Sequence, residues 1–99
     1  MKFLVVEKIR PATMIDSKEF ARMAGEDLKY KIELEKSGKI VAGAPFLDIL
    51  GDYYVLETST IEELGEILFG SPGNLLVERE VHPLGSFKDS YEGMKELGS

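Results

Sequence analysis

The chain of 99 residues has no cysteine, no tryptophan and no glutamine, a single asparagine (Asn74) and a single histidine (His82). Without cysteine there are no disulfides, no thiolate nucleophile and no cysteine-based metal site. One histidine with no clustered partners is a poor metal ligand set, and no elbow-like serine lies near it to form a nucleophilic triad. Basic excess is also missing. Twelve Lys and Arg face eighteen Asp and Glu, for a net charge of −6. A phosphate-binding surface needs the opposite balance, so a nucleic-acid partner is not expected. No apolar run approaches the roughly 20 residues that span a bilayer, and the long helix expected below carries mixed charge, so no membrane partner is expected either. The segment FGSPGN at 69–74 is glycine-rich, but it lacks the Lys-Ser/Thr ending of a phosphate loop and precedes a strand. No cofactor motif or metal site is read from the chain. The amino terminus runs straight into MKFLVVEKI with no cleavage pattern, which gives a cytoplasmic expectation. Scarce amides with abundant Glu and Lys point in the direction of thermophilic proteins.

What is present reads as one α+β domain over 1–84, with a tail over 85–99 that holds a short polar helix. Lys2 to Ile9 is a strand rich in β-branched residues, apolar on both faces, with Phe3 and Val5 on one side and Leu4 and Val6 on the other. Asp16 to Ser37 is a helix. Asp16 and Glu19 form a capping box, and Gly38 stands where a helix stops. Its apolar stripe is expected along Phe20, Ala24, Leu28 and Ile32, widened by Met23, Tyr30 and Leu34. Lys39 to Leu50 is extended, bent at Gly43-Ala44-Pro45. Tyr53 to Thr58 is a third strand. A short helix follows from Thr60 or Ser59, each with a Glu three residues on, and a fourth strand runs from Leu75 to His82 and is closed by Pro83.

The order β-α-β-β-α-β closes as a ferredoxin-like fold, two helices on a four-stranded antiparallel sheet with the first and third strands central. Two helices cover one sheet face only. The apolar second face therefore predicts a second copy of the chain as partner, a homodimer or a multiple of dimers.

Gly51-Asp52 fits a two-residue hairpin loop, which sets Leu50 opposite Tyr53, Asp48 opposite Val55, and Phe46 opposite Glu57. On the other face it sets Ile49 opposite Tyr54 and Leu47 opposite Leu56, the expected core. Asp48 and Tyr53 then share a mixed face, lining either a pocket or an interface. Glu7 is the third candidate. It shares a row with Phe3, Val5 and Ile9 on a central strand, where desolvation would raise its pKa and suit proton transfer. A Glu7–Arg79 ion pair across neighbouring strands is the structural alternative.

Several stretches together resemble muconolactone isomerase-like proteins: FLV at 3–5, LEKSGK at 34–39, YYVLE at 53–57, STIEELGEIL at 59–68 and EVHPL at 80–84. The resemblance covers about 1–84. It implies a ferredoxin-like subunit whose sheet faces a partner's to form a dimeric α/β barrel, in a superfamily of cofactor-independent isomerases and monooxygenases. In muconolactone isomerase itself, dimers build larger rings. The family's Trp- and His-containing segment and its aromatic-Ala-Asn stretch have no counterpart in IVAGAPFLDILGDYY at 40–54. The resemblance thus supplies a fold and an assembly, and the catalytic candidates Glu7, Asp48 and Tyr53 come from the residues alone. The expected function is small-molecule binding, with a cofactor-free isomerase of a small organic acid or lactone as the leading activity and a small apolar or lactone-like ligand as the partner. A non-enzymatic oligomeric ligand-binding or interaction module stays open beside it, as does a cofactor-independent monooxygenase.

Overall fold

A computed structural model describes residues 1–11 and 15–99. Four strands and three helices follow the order β1 (Lys2–Ile9), α1 (Ser17–Lys36), β2 (Ile40–Pro45), β3 (Gly51–Glu57), α2 (Ile61–Phe69), β4 (Val77–Leu84) and α3 (Phe87–Leu97), with one 3₁₀ turn at Asn74–Leu76. The sheet order is β2-β3-β1-β4, and every pairing is antiparallel. This is the ferredoxin-like arrangement, with the first and third strands central. Caps fix the helix starts as the side-chain chemistry dictates. Asp16 accepts from the Glu19 amide, Thr60 from Glu63 and Ser86 from Asp89.

The dry core lies between one end of the sheet and the helices. Phe3 and Val5 of β1, Ile40 of β2, and Tyr54 and Leu56 of β3 pack with Leu64, Ile67 and Leu68 of α2, flanked by Tyr30 and Leu34 of α1. Each fully buried aliphatic or aromatic side chain contributes about 1.5–3 kcal/mol. The Tyr30 hydroxyl donates to the Ile67 carbonyl at 2.8 Å, tying the two helices together. Leu4 and Val6 point to the uncovered face, where β3 adds Tyr53 and Val55 and β2 adds Ala42 and Ala44.

The hairpin departs from the two-residue turn. Pairing runs Ile40↔Leu56, Ala42↔Val55, Gly43↔Tyr54, Ala44↔Tyr53 and Pro45↔Asp52, with a bulge between Ile40 and Ala42. Residues 46–50 are a loop closed by the Phe46 amide donating to the Gly51 carbonyl at 2.9 Å. Asp48, Leu47 and Ile49 therefore pair with nothing on β3, and Leu47 is fully exposed. Two residues explain the shift. Pro45 ends the strand because it has no N–H to continue the ladder. Gly51 belongs to β3 itself: a Cβ there would overlap the Glu7 carbonyl oxygen, so the glycine marks a close strand approach and not a turn.

Two further expectations are corrected. Pro83 does not close β4 but lies within it, opposite Phe3, which an edge strand allows because its outward positions need no N–H donor. The buried line of α1 also differs from the expected stripe. Leu28 and Ile32 are about half exposed, whereas Asp27 is the buried residue of the helix and Lys31 lies beside it under the sheet.

Candidate active site

A polar row crosses the middle of the covered sheet face. Glu7 on β1 pairs with Asp52 on β3 to one side and with Arg79 on β4 to the other, so strand register alone sets three charged side chains abreast. From above, α1 lowers Asp27 and Lys31, one turn apart, onto the same place. Glu7 is almost completely buried.

The contacts interlock. Lys31 Nζ lies 2.8 Å from Glu7 Oε1, 2.8 Å from Asp27 Oδ2 and 2.6 Å from Asp52 Oδ2. An ammonium has three N–H donors, and here each meets a different carboxylate. The second Glu7 oxygen, Oε2, accepts from the Tyr54 hydroxyl at 2.8 Å and from Arg79 Nε at 2.7 Å. Arg79 also donates to Asn74 Oδ1 at 2.7 Å and to the Leu68 carbonyl at 3.4 Å. Asp27 Oδ1 accepts from the Ser71 hydroxyl and from the Gly73 amide, so the loop after α2 closes the cluster. One buried oxygen in this set is left over. Asp52 Oδ1 has no hydrogen-bond partner among the described residues.

These partners set the proton affinities. Burial pushes the Glu7 carboxyl up, but Lys31, Arg79 and Tyr54 together outweigh it and hold Glu7 below the usual carboxylate range. The upward shift expected for Glu7 from the sequence is thus corrected: its partners turn the shift downward. Asp27 behaves alike, with burial opposed by Lys31, Ser71 and the Gly73 amide, and its net shift is downward. Asp52 goes the other way. Burial dominates over its single bond from Lys31, and the nearby Glu7 and Asp27 charges add to it, so Asp52 is raised. Burial lowers the affinity of Lys31, but its three carboxylates more than reverse this and keep it charged. Tyr54 is pushed up by burial and by Glu7, and stays a neutral donor.

Three carboxylates face two cations, which leaves one negative charge in excess. Asp52 is the carboxyl with the fewest bonds and the upward shift, so of the three it takes up a proton most readily. Ligand oxygens of Glu7, Asp27 and Asp52 come within 4.8 Å of one another, a spacing a cation could use. The Lys31 ammonium already occupies the point between them.

Space for a ligand adjoins the cluster. A cavity of about 190 Å³ lies between α1 and the sheet, with Ile9, Phe20, Leu28, Phe46, Leu50 and Val77 among its walls and Glu7, Asp27, Lys31 and Asp52 at its polar end. A second, of about 290 Å³, lies toward β2 and is lined in part by Ile32, Ile40, Pro45, Tyr53 and Tyr54. Leu28, Lys31, Pro45 and Asp52 line both cavities, so the aspartate whose second oxygen lacks a partner stands at the divide.

Of the three sequence candidates, only Glu7 lies in this cluster. Asp48 is exposed in the 46–50 loop. Tyr53 faces away from Glu7, toward the uncovered side of the sheet, and stacks on Phe46 with centroids 6.2 Å apart. The Glu7–Arg79 pair is present. Sequence reasoning missed Asp27, Lys31 and Asp52. Phe20, Ala24, Asp27, Lys31 and Leu34 recur at three and four, so an ion pair on the inward line of α1 was legible there. Nothing comparable marked Asp52, which reads as a turn residue beside Gly51.

No family model and no curated protein sequence matches the chain. Solved structures do. The fold is that of muconolactone isomerase, with a TM-score of 0.77 at 17% identity over 87% of this chain and 90% of that one. It is also that of 5-chloro-2-hydroxyhydroquinone dehydrochlorinase from Burkholderia phenoliruptrix AC1100, solved with 2,5-dihydroxybenzoquinone. There the TM-score is 0.68 at 23% identity over 90% of this chain and 98% of that one.

Proposed function

We propose that the protein binds a small oxygen-bearing organic acid, lactone or hydroxylated ring in the cavity beneath α1 and moves a proton on it without a cofactor. The observation that carries this reading is Asp52, a half-buried carboxyl with one buried oxygen left unpartnered, an upward pKa shift and a place in the walls of both cavities. A base of this kind is poised for general acid–base work, since its proton affinity lies nearer neutrality than that of an ordinary aspartate. The two structural neighbours, an isomerase of a lactone and a dehydrochlorinase of a hydroxylated ring, support the substrate class.

In the proposed step, the ionised Asp52 takes a proton from a carbon beside a carbonyl. The C–H electron pair moves into the conjugated system and its charge settles on the carbonyl oxygen. Protonation of Asp52 weakens its bond from Lys31, which frees an N–H for that oxygen. Return of the same proton to a different carbon completes an isomerisation with no net gain or loss. Glu7 and Asp27 do not carry the proton; they keep Lys31 charged and placed.

The interlocked cluster also fits a binding module with no turnover, in which Asp52 receives a ligand hydroxyl. Exchange in D₂O separates the two. Lactones and hydroxylated quinones incubated with the protein should exchange a carbon-bound proton for deuterium, seen by NMR. Asp52→Asn should slow this by about 10²–10⁴-fold, the usual share of a general base. Binding without exchange would leave the non-enzymatic reading standing alone. We also propose that the uncovered sheet face, with Leu4, Val6, Tyr53 and Val55, pairs with a second copy. Val55→Lys should then convert a dimer to a monomer in sedimentation, and an unchanged mass would exclude this pairing.

A further inference from the structure

We propose that α3 is an arm exchanged between two copies of the chain, its apolar stripe covering the cavity mouth of the partner. Phe87, Tyr91, Met94 and Leu97 recur at four, three and three, and so lie on one side of the helix. They are 97%, 64%, 70% and 82% exposed. An 11-residue helix is marginal alone in water, and four large apolar side chains on one face require something to cover them. The body of the chain does not. The molecule extends 59 × 28 × 23 Å with a radius of gyration of 16.2 Å, against about 13 Å for a compact domain of this length.

A second unpartnered apolar patch lies at the other end of the sheet. Leu28 and Ile32 of α1, with Ile49 and Leu50 of the 46–50 loop, are 45–67% exposed around the cavities, and Leu47 is wholly so. The arm leaves β4 where Leu84 pairs with Lys2, whereas the mouth lies where Lys8 pairs with Gly51. Six residues of strand separate the two, about 20 Å. In the structure the arm lies clear of this mouth, and its four apolar side chains stay exposed. Exchanged about the twofold axis of the sheet pairing proposed above, each arm would meet the other copy's mouth, a reciprocal contact that closes on itself.

The area suffices. Four such side chains cover roughly 500 Å², and an equal area of the mouth disappears beneath them. Doubled by symmetry, this is about 2,000 Å², the size of a stable interface before any sheet contact is counted. The contact does not depend on whether the cavity turns a substrate over. It rests on the pairing of two copies proposed above.

The cysteine-free chain makes the test direct. Chains carrying Ile32→Cys are refolded with chains carrying Tyr91→Cys and treated with a short bis-maleimide, which should join the two kinds of chain. In the full chain, Tyr91→Asp should weaken self-association on the order of thirtyfold, as expected for a central aromatic anchor. Because Tyr91 is exposed within one copy, this change leaves the fold intact. Absence of the cross-link, or self-association unchanged in Tyr91→Asp while Val55→Lys abolishes it, would overturn the exchange and leave the sheet pairing in place. A monomeric wild type would overturn both. A cross-link confined to a single chain bearing both cysteines would show an arm folded back on itself, and would also overturn it.

Discussion

The covered face of one sheet is built in two ways. Toward the Phe3–Leu56 end it is dry, with Phe3, Val5, Leu56, Leu64 and Leu68 packed beneath α2. Toward the Glu7–Asp52 end, the same strands and α1 bury Glu7, Asp27, Lys31 and Arg79 around a cavity. The first half is what folding requires. The second is costly, because an ion network of this kind is often no more stable than apolar residues of similar volume. Four of the five charged groups are nonetheless tied down, and the fifth, Asp52, is left with a free oxygen. A network that fixes all members but one suits presentation of that one member better than stability.

Substitutions can break this comparison, and the largest effect is expected at Lys31. Lys31→Met strands three carboxylates and should cost about 3–5 kcal/mol in urea unfolding. A loss near zero would show the charged half to be wet and the contrast false. Leu56→Ala in the dry half should cost about 3 kcal/mol, from lost burial and the cavity left behind. Tyr54→Phe should cost about 1.5–3 kcal/mol, since it removes a hydrogen bond to the ionised Glu7. Asp52→Asn is expected to change stability least, by about 0.5 kcal/mol or less, because the amide oxygen still accepts from Lys31. It should nevertheless have the greatest effect on proton exchange.

The pH dependence sharpens the contrast. Glu7 and Asp27 have folded pKa values below their unfolded ones. Their contribution is therefore complete above the ordinary carboxylate range and is lost as pH falls through their depressed folded values. Asp52 has the opposite sign. Its folded value is raised, so its contribution is present below the unfolded value and is lost as pH rises through the folded one. Denaturation followed across pH should show both limbs in the wild type. Asp52→Asn should remove the upper limb and keep the acid one.

Much of the fold was legible because apolar alternation and capping are local signals. The β1 alternation, the Asp16 and Thr60 caps and the order of elements all appear as read. The hairpin was not, because Gly51 has two physical uses. A glycine beside an aspartate reads as a turn, whereas here it lets β1 and β3 approach. That single ambiguity displaced Asp48 into the candidate site and removed Asp52 from it. Glu7 was found because a carboxyl in an apolar row is anomalous at any register. The direction of its pKa shift was not legible, because the partners that lower it, Lys31, Arg79 and Tyr54, come from other elements. Long-range pairing sets the proton affinity, and no local pattern encodes it.

Carboxyl ¹³C NMR titration of protein labelled at Asp and Glu, assigned with Asp52→Asn and Glu7→Gln, tests the central claim directly. Asp52 should titrate above the ordinary aspartate range while Glu7 and Asp27 titrate below it. An Asp52 that titrates at or below the ordinary range, with Glu7 above it, would move the proton to the other carboxyl and contradict the account.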